Sequence, residues 1–217
     1  MSSLVQPIMV AKTGTHLDTI TAAAMSSVMS QIRNQEKQDI WREWLGGTFT
    51  KSVRRAGVND FDKIISWSEE NGVIPAEFSI GESRALALPP MAYDNYPKVV
   101  RKLQVSGTDF PRTDHDVNKD LVGTDLTIYL DESLTTGKAA AQAAHAMWIG
   151  TLHLRLIRAE TTAQYSVKTK LVKASDLPSL AKESNARMVV DAGLTEVAPN
   201  TLTAVVICDL AGGNKIF

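Results

Sequence analysis

The chain has 217 residues, of which 44% are hydrophobic, and it contains 23 basic against 24 acidic residues. This length and hydrophobic content suffice to bury a core, so the composition excludes a disordered or fibrous protein. The formal net charge is only -1. Contact with nucleic acid would therefore depend on local basic patches rather than on the charge of the whole molecule.

The chain has a single cysteine, Cys208, and four histidines. One cysteine excludes an internal disulfide framework, and neither His-Glu-x-x-His nor Cys-x-x-Cys occurs, so we expect no metal site. We expect no cofactor either. The N-terminal residues lack a basic segment ahead of an apolar one, and no later apolar run is long enough to span a bilayer. These features predict a cytoplasmic protein without membrane contact.

Strands alternate with helices along the chain, which predicts an α/β fold. The first half reads as strand, alanine-rich helix, strand, helix and β pair, at residues 5–12, 17–32, 49–55, 61–70 and 73–89. The second half repeats this order at residues 126–130, 137–154, 165–172, 176–184 and 188–207. Residues 106–123 between them are polar and rich in turn formers, which predicts a linker.

The repeated order predicts two tandem lobes, residues 1–105 and residues 122–217, that arose by duplication. Two α/β segments of similar size can also share such an order by chance. Two local likenesses argue against chance, because residues 21–25 resemble the helix at 139–147 and residues 83–88 resemble residues 201–206. The first lobe lacks the polar residues described next, and we interpret it as a degenerate, non-catalytic copy.

A group of polar side chains opens the helix of the second half. Thr135 or Thr136 is suited to cap the helix that Gly137 and Lys138 begin. Helical spacing places Gln142 and His145 on the same face as Lys138. The alanines on the other face, at 139, 140, 143 and 144, are small enough to let the helix lie close to a sheet.

Other interpretations of this segment remain open. Taken alone, Lys138 is more typical of an exposed, solvated lysine, and His145 is typical of a buried histidine with its hydrogen bonds satisfied. A lysine in the first turn opposes the helix dipole, which favours a nearby anion. A nucleotide-binding P-loop is excluded, because Glu132 stands where that motif needs glycine and Ala139 where it needs serine or threonine.

The second polar segment is Asp191-Ala192-Gly193-Leu194-Thr195, which follows an apolar strand. A turn at Pro199-Asn200 then leads into a strand on which Thr201 and Thr203 share a face. By itself this pattern is more typical of an ordinary hairpin.

Together the two segments resemble the type II peptidyl-tRNA hydrolase family. That family shows Gly-Lys-x-Ala-Ala-Gln-x-x-His-Ala after its first strand and Asp-Ala-Gly-x-Thr-x-x-Ala-Pro near its end, with another threonine twelve residues after the aspartate. The residues that match the first motif are Gly137, Lys138, Ala140, Ala141, Gln142, His145 and Ala146. The residues that match the second are Asp191, Ala192, Gly193, Thr195, Ala198, Pro199 and Thr203. The resemblance covers residues 126–208, and the two-lobed arrangement is similar to a bacterial branch of the family.

The resemblance implies a three-layer α/β/α fold on a mixed sheet of about four strands, and an enzyme that hydrolyses peptidyl-tRNA without a metal and so recycles tRNA. It implies Lys138, Asp191, Thr195 and Thr203 as the catalytic centre, supported by Gly137, Gln142 and His145. The sequence departs from the family at Ala143, Ser166, Glu196 and Asn200, where the family usually has Cys, Lys, Gln and Gly. The family commonly dimerises, so the two lobes are expected to pack as an intramolecular pseudo-dimer, while a homo-oligomer stays open.

A basic patch between residues 151 and 173 is our candidate for tRNA contact, with five basic residues against one acidic residue, Glu160. The five are Arg155, Arg158, Lys168, Lys170 and Lys173. A solvated basic face is the alternative. Lys51, Arg54 and Arg55 would extend the patch, and Lys168 and Lys170 would replace the lysine missing at Ser166.

Ester hydrolysis needs an oriented water and stabilisation of the oxyanion. We expect Asp191 to position or deprotonate the water, directly or through Thr195 or Thr203. We expect Lys138 or helix N–H groups to stabilise the oxyanion or hold a terminal phosphate. Two alternatives from other classes are a non-catalytic RNA- or protein-binding module on the same scaffold and a nucleotide-binding α/β domain. The Lys138–Asp191 pair could also be purely structural.

Overall fold

The computed structural model describes residues 3–47, 49–112, 124–159, 165–193 and 196–210. The first lobe contains β1 (Leu4–Ala11), α1 (His16–Arg33), α2 (Gln38–Gly46), β2 (Thr50–Ala56), α3 (Val58–Glu70), β3 (Ala76–Ile80), β4 (Ser83–Ala87), β5 (Met91–Ala92) and α4 (Lys98–Arg101). The second lobe contains β6 (Leu126–Asp131), α5 (Thr136–Arg158), β7 (Val167–Val172), α6 (Leu177–Leu180), β8 (Ala186–Asp191) and β9 (Thr201–Cys208). The prediction of an α/β fold in two lobes is confirmed.

The two lobes have the same sheet topology. The strand order is β2-β1-β4-β3 in the first sheet and β7-β6-β9-β8 in the second, and the short β5 adds to β1. In each sheet the first two strands pair in parallel and the other pairs along the path are antiparallel. This identity of order and direction supports a duplication over a chance likeness.

Two helices differ from the sequence prediction. The helix predicted at 176–184 is a single turn, α6, because residues 181–185 turn back to begin β8 and the N–H of Ala186 bonds to the carbonyl of Glu183. Helix α2 was not predicted at all. It buries Trp41 and Trp44, and the corresponding connection in the second lobe spans only residues 159–166.

The central strand β1 is buried on both faces, as a strand with helices on its two sides requires. On β1, Ile8 and Val10 face α1, whereas Met9 and Ala11 join Phe61 of α3 in a separate outer cluster. The inward faces of both sheets belong to one hydrophobic core, to which α1 and α5 both contribute. The lobes therefore do not have independent inner cores.

Helices α1 and α5 form the centre of this shared core. Each also contacts the second strand of the opposite lobe, α1 against β7 and α5 against β2, which is the reciprocal pattern of an isologous contact. The ring of Trp148 on α5 lies 5.6 Å from Trp41 and 5.3 Å from Trp44 between ring centroids, and its indole N–H donates to Ser27 on α1 at 2.9 Å. The lobes thus pack as an intramolecular pair.

The predicted linker begins as an ordered strap, residues 107–112, at the N-termini of α1 and α5. The N–H of Gly137 donates to the Thr108 carbonyl at 3.0 Å, and the N–H of Phe110 donates to the Thr136 hydroxyl at 2.9 Å. The N–H of His16 donates to the Pro111 carbonyl at 2.9 Å. The strap therefore joins both helix starts, and the rest of the predicted linker, 113–123, lies outside the described residues.

No helix among the described residues is both long and apolar enough to cross a bilayer. No group of three or more His, Cys, Asp or Glu side chains among them is placed to hold a metal ion.

The shared core predicts a large effect of Trp148→Ala on the whole molecule. Removing this fully buried ring should lower the free energy of unfolding by about 3–5 kcal/mol, measured by urea denaturation. Leu156→Ala is the matched control, because Leu156 lies on the same helix with its side chain 81% exposed and should change the value by less than about 0.5 kcal/mol. A Trp148→Ala effect as small as that of the control would contradict the shared core.

Candidate functional site

Helix α5 begins as the sequence predicts, and Thr135 is its cap. The Thr135 hydroxyl accepts a hydrogen bond from the N–H of Lys138 at 3.4 Å. Glu196, which stands where the family usually has Gln, accepts from the N–H of Thr135 at 3.2 Å and also from its hydroxyl. The Glu196 side chain therefore holds the capping residue Thr135 at the start of α5.

Gly137 is required where the strap crosses the helix. A Cβ atom at this position would lie 2.8 Å from Thr108 Cβ and closer still to Thr108 Oγ1. The glycine of the Gly-Lys pair thus admits the strap, and it sets the position of Lys138 one residue later.

Asp191 ends β8 and accepts hydrogen bonds from three donors. Its Oδ2 atom lies 2.7 Å from Lys138 Nζ and 2.7 Å from Gln142 Nε2, and its Oδ1 atom accepts from the N–H of Gly193 at 2.7 Å. Burial alone would raise the pKa of Asp191, but the hydrogen bonds and the charge of Lys138 outweigh it and lower the pKa. The carboxylate is therefore held ionised and is a weak base.

Thr203 connects to this group through Gln142. Its hydroxyl lies 2.9 Å from Gln142 Oε1 and 3.3 Å from the Val189 carbonyl. The register between β8 and β9 shifts here, with Val189 opposite Ala204 and Val190 opposite Leu202, so Thr203 is the extra residue. Such a bulge turns a side chain toward the other face of the sheet, and here it directs Thr203 toward α5.

His145 lies farther along the same helix face and pairs with Lys51 of the first lobe. Its Nδ1 atom is 3.1 Å from Lys51 Nζ, and its ring packs edge-on against Phe49 with 5.1 Å between centroids. Burial, together with the charges of Lys51 and Lys138, lowers the pKa of His145 well below its usual value. The imidazole is therefore neutral at pH 7.

The side chains of both lobes line one cleft of about 650 Å³. From the first lobe come Lys51 on β2 and Tyr93, and from the second come Lys138, His145 and Asp191. Three exposed apolar side chains, Tyr93, Val105 and Val190, also line it. The cleft has the volume of a small-molecule site, with an apolar margin around a few polar groups.

The structure brings together Lys138, Gln142, Asp191 and Thr203 in one connected group, with Gly137 and His145 on the same helix. Thr195 lies outside the described residues. The sequence did not assign Lys51 or Thr108 to the cleft. Lys51 comes from the first lobe and Thr108 from the strap, and only the packing of α5 against β2 and the strap brings them to the cleft.

The two arginines of the predicted tRNA patch make contacts within the protein. Arg155 is buried and donates to Gln31 of α1 at 2.6 Å. Arg158 pairs with the buried Asp125 at 2.8 Å and donates to the Asp209 carbonyl at 2.8 Å. A phosphate contact by either residue would compete with these contacts, and their part in tRNA binding stays a prediction.

The three lysines of the patch lie at the edge strand β7. Lys168 and Lys170 alternate with the inward Val167 and Thr169, and they are half-buried, while Lys173 is exposed just beyond the strand. Ser166, which stands where the family usually has lysine, is buried and bonds to Asp125 through its hydroxyl at 2.8 Å.

The predicted extension of the patch into the first lobe does not form at the surface. Lys51 and Arg54 are buried, and Arg54 donates to the Leu103 carbonyl and the Tyr93 hydroxyl. Arg55 bonds to the Gly107 carbonyl and the side chain of Gln104. These side chains do not form a surface patch because α5 and the segment 101–107 cover β2, so this edge of the first sheet does not face solvent.

The matching helix of the first lobe lacks the polar group. Both α1 and α5 begin one residue after a capping threonine, Thr15 and Thr135. Counted from these caps, Asp18 occupies the position in α1 that Lys138 occupies in α5. Ala22 and Met25 occupy the positions of Gln142 and His145. The first lobe therefore lacks counterparts of these three side chains, in agreement with a degenerate copy.

Because the strap lies close to Gly137, replacing this glycine with alanine should destabilise the protein, although alanine normally stabilises a helix. Gly→Ala inside a helix normally stabilises by up to about 1 kcal/mol, but Gly137→Ala should lower the free energy of unfolding, because its Cβ meets Thr108. Gly46→Ala in α2 is the control, since nothing lies within 4 Å of its added Cβ and no loss is expected. Adding Thr108→Gly should recover part of the loss, and a Gly137→Ala variant as stable as the parent would refute the contact.

No protein-family model matches the chain, and no curated protein matches its sequence.

Proposed function

We propose that this protein hydrolyses the ester bond between peptide and tRNA in peptidyl-tRNA. The observation that carries the proposal is the connected group Lys138–Asp191–Gln142–Thr203 on the wall of an open cleft. These four side chains come from two segments that resemble the type II peptidyl-tRNA hydrolases. The proposal places the reaction in the cytoplasm.

Asp191 orients the attacking water in this mechanism. Three donors already bind its two oxygens, and its pKa is lowered by the hydrogen bonds and charge that overcome burial, so it accepts a hydrogen bond more readily than a proton. Gln142 holds the carboxylate, and Thr203 holds Gln142. Thr203 is therefore a positioning residue.

Lys138 stabilises the oxyanion of the tetrahedral intermediate. The helix N–H groups that could compete for this role are occupied, because the N–H of Gly137 bonds to the Thr108 carbonyl and that of Lys138 to the Thr135 hydroxyl. The ammonium of Lys138 lines the cleft, and a fixed positive charge aimed at developing negative charge is the usual means of lowering such a barrier.

The dimensions and lining of the cleft suit the end of an acylated tRNA. Its volume of about 650 Å³ accommodates a nucleoside with an attached amino acid, and Tyr93 offers a ring for a base to stack on. The exposed Lys173 and the half-buried Lys168 and Lys170 are the candidates for phosphate contact outside the cleft. A purely structural ion pair would require none of these features.

The proposal predicts loss of activity when either partner of the ion pair is changed. With N-acetylaminoacyl-tRNA as substrate, Lys138→Met and Asp191→Asn should each lower kcat by about 10²–10³-fold, because each removes charge stabilisation or water orientation. Thr203→Val should cause a smaller loss. Lys182→Met, which removes a charge from an exposed lysine, is the control and should match the parent.

Release of N-acetylamino acid is the measurement. Unchanged activity in both Lys138→Met and Asp191→Asn would overturn the assignment of this site. No activity in the parent, with tRNA binding retained, would favour the non-catalytic binding module instead.

A further inference from the structure

The proposed hydrolysis needs a group that accepts a proton from water, and Asp191 is poorly suited to it. Its oxygens accept three hydrogen bonds. The other carboxylate that lines the cleft, Glu196, is bound through both oxygens to Thr135. The remaining basic groups of the described cleft wall are the lysines Lys51 and Lys138 and the imidazole of His145.

Lys51 occupies a site built for a neutral amine. A neutral amine has two hydrogens and one lone pair, and Lys51 Nζ faces two acceptors, the Phe49 carbonyl at 3.3 Å and His145 Nδ1 at 3.1 Å. With His145 Nδ1 unprotonated, these two acceptors use both hydrogens, and the lone pair is left over. No carboxylate among the described residues lies within ion-pair distance of Lys51, in contrast to Lys138.

His145 fixes the orientation of this amine. A buried neutral imidazole has one protonated and one unprotonated nitrogen, and we assign the tautomer with an unprotonated Nδ1, which accepts from Lys51. The rings of Phe49 and Trp44 enclose the amine on other sides, with centroids 3.4 and 4.6 Å from Nζ. This enclosure excludes water from the stem of Lys51, and burial lowers the pKa of Lys51 well below its usual value.

We propose that Lys51, oriented by His145, is the general base of the proposed hydrolysis. The amine takes a proton from the water as its oxygen forms a bond to the ester carbon. When the bond between that carbon and the ribose oxygen breaks, the resulting ammonium returns the proton to the leaving oxygen. Water and ester are consumed, and an acid and a tRNA hydroxyl are produced, with no other reactant.

This inference rests on the proposed function, and it makes the first lobe part of the catalytic site. Besides Lys51, the charged and titratable groups that line the described cleft are Tyr93 of the first lobe, Lys138 and His145 on α5, Asp191 on β8 and Glu196 before β9. Burial lowers the pKa of Lys51, which favours the neutral amine before the reaction.

Two substitutions of Lys51 distinguish a general base from a fixed positive charge. Lys51→Arg retains a positive charge but cannot lose its proton at working pH, whereas Lys51→Met retains only the stem. If Lys51 is the base, both variants lose at least about 10²-fold in kcat with little change in KM for N-acetylaminoacyl-tRNA. An arginine variant with the kcat of the parent would overturn the proposal.

The pH dependence of kcat is the second readout. A neutral amine as base predicts that parent kcat rises with pH to a plateau, as Lys51 loses its proton, and that this rise is absent from the residual activity of Lys51→Met. His145→Asn keeps an acceptor near the Nδ1 position and should retain most of kcat, whereas His145→Leu should lose most of it. Equal activity of the two His145 variants would contradict the positioning role.

A direct titration tests Lys51 in the unmodified protein, whether or not the substrate is correct. In protein labelled with ¹³C and ¹⁵N and assigned by NMR, the Cε signal of Lys51 should titrate at lower pH than that of free lysine in the same buffer. Titration of both together would overturn the proposal even if the variants fail to fold. A low titration in a protein that does not cleave peptidyl-tRNA would remove the proposed function and support Lys51 as a proton acceptor. If the Lys51→Arg variant cleaves peptidyl-tRNA as fast as the parent, the proposed function is supported and Lys51 is not the base.

Discussion

The packing of α1 against α5 is the constraint on which the rest of the structure depends. The two helices bring the inward faces of both sheets into one core, with Trp148 against Trp41 and Trp44 at its centre. Fully buried aromatic rings supply much of the apolar area removed from water, and such pairs add about 0.5–1.5 kcal/mol each beyond that area. Because each helix also contacts the second strand of the opposite lobe, the relative position of the two sheets is fixed as well.

The candidate site is a consequence of this packing. Contact of α5 with β2 brings Lys51 to His145, and the strap that joins the helix starts fills the space that Gly137 leaves open. The first lobe lacks the Lys–Gln–His set of α5, yet its β2 forms one wall of the cleft together with the strap. In this account the first lobe lost its own polar group but kept the surface that completes the site of the second lobe.

The sequence predicted most of the fold because its signals are local. Alternating apolar segments and the capping threonine Thr135 place the strands and α5, and the spacing of Lys138 and Gln142 places them on one face. The meeting of Asp191 with Lys138 was inferred from a resemblance, since the two are 53 positions apart. The place of Lys51 could not be predicted, because a buried lysine and a surface lysine look the same in sequence. The same ambiguity explains why Arg155 and Arg158 were assigned to a surface patch although both make contacts within the protein.

The central claim, that the lobes share one core and therefore one cleft, is tested most directly by following each lobe separately during urea unfolding. Cys208 on β9 is the single cysteine of the chain and is fully buried, so the reaction of its thiol with a probe reports the second lobe. In a Trp67→Phe variant the remaining tryptophans are Trp41, Trp44 and Trp148, so its fluorescence reports the contact between the lobes. The account predicts that both signals change at the same urea concentration. Exposure of Cys208 at lower urea, while the tryptophan fluorescence stays native, would contradict it.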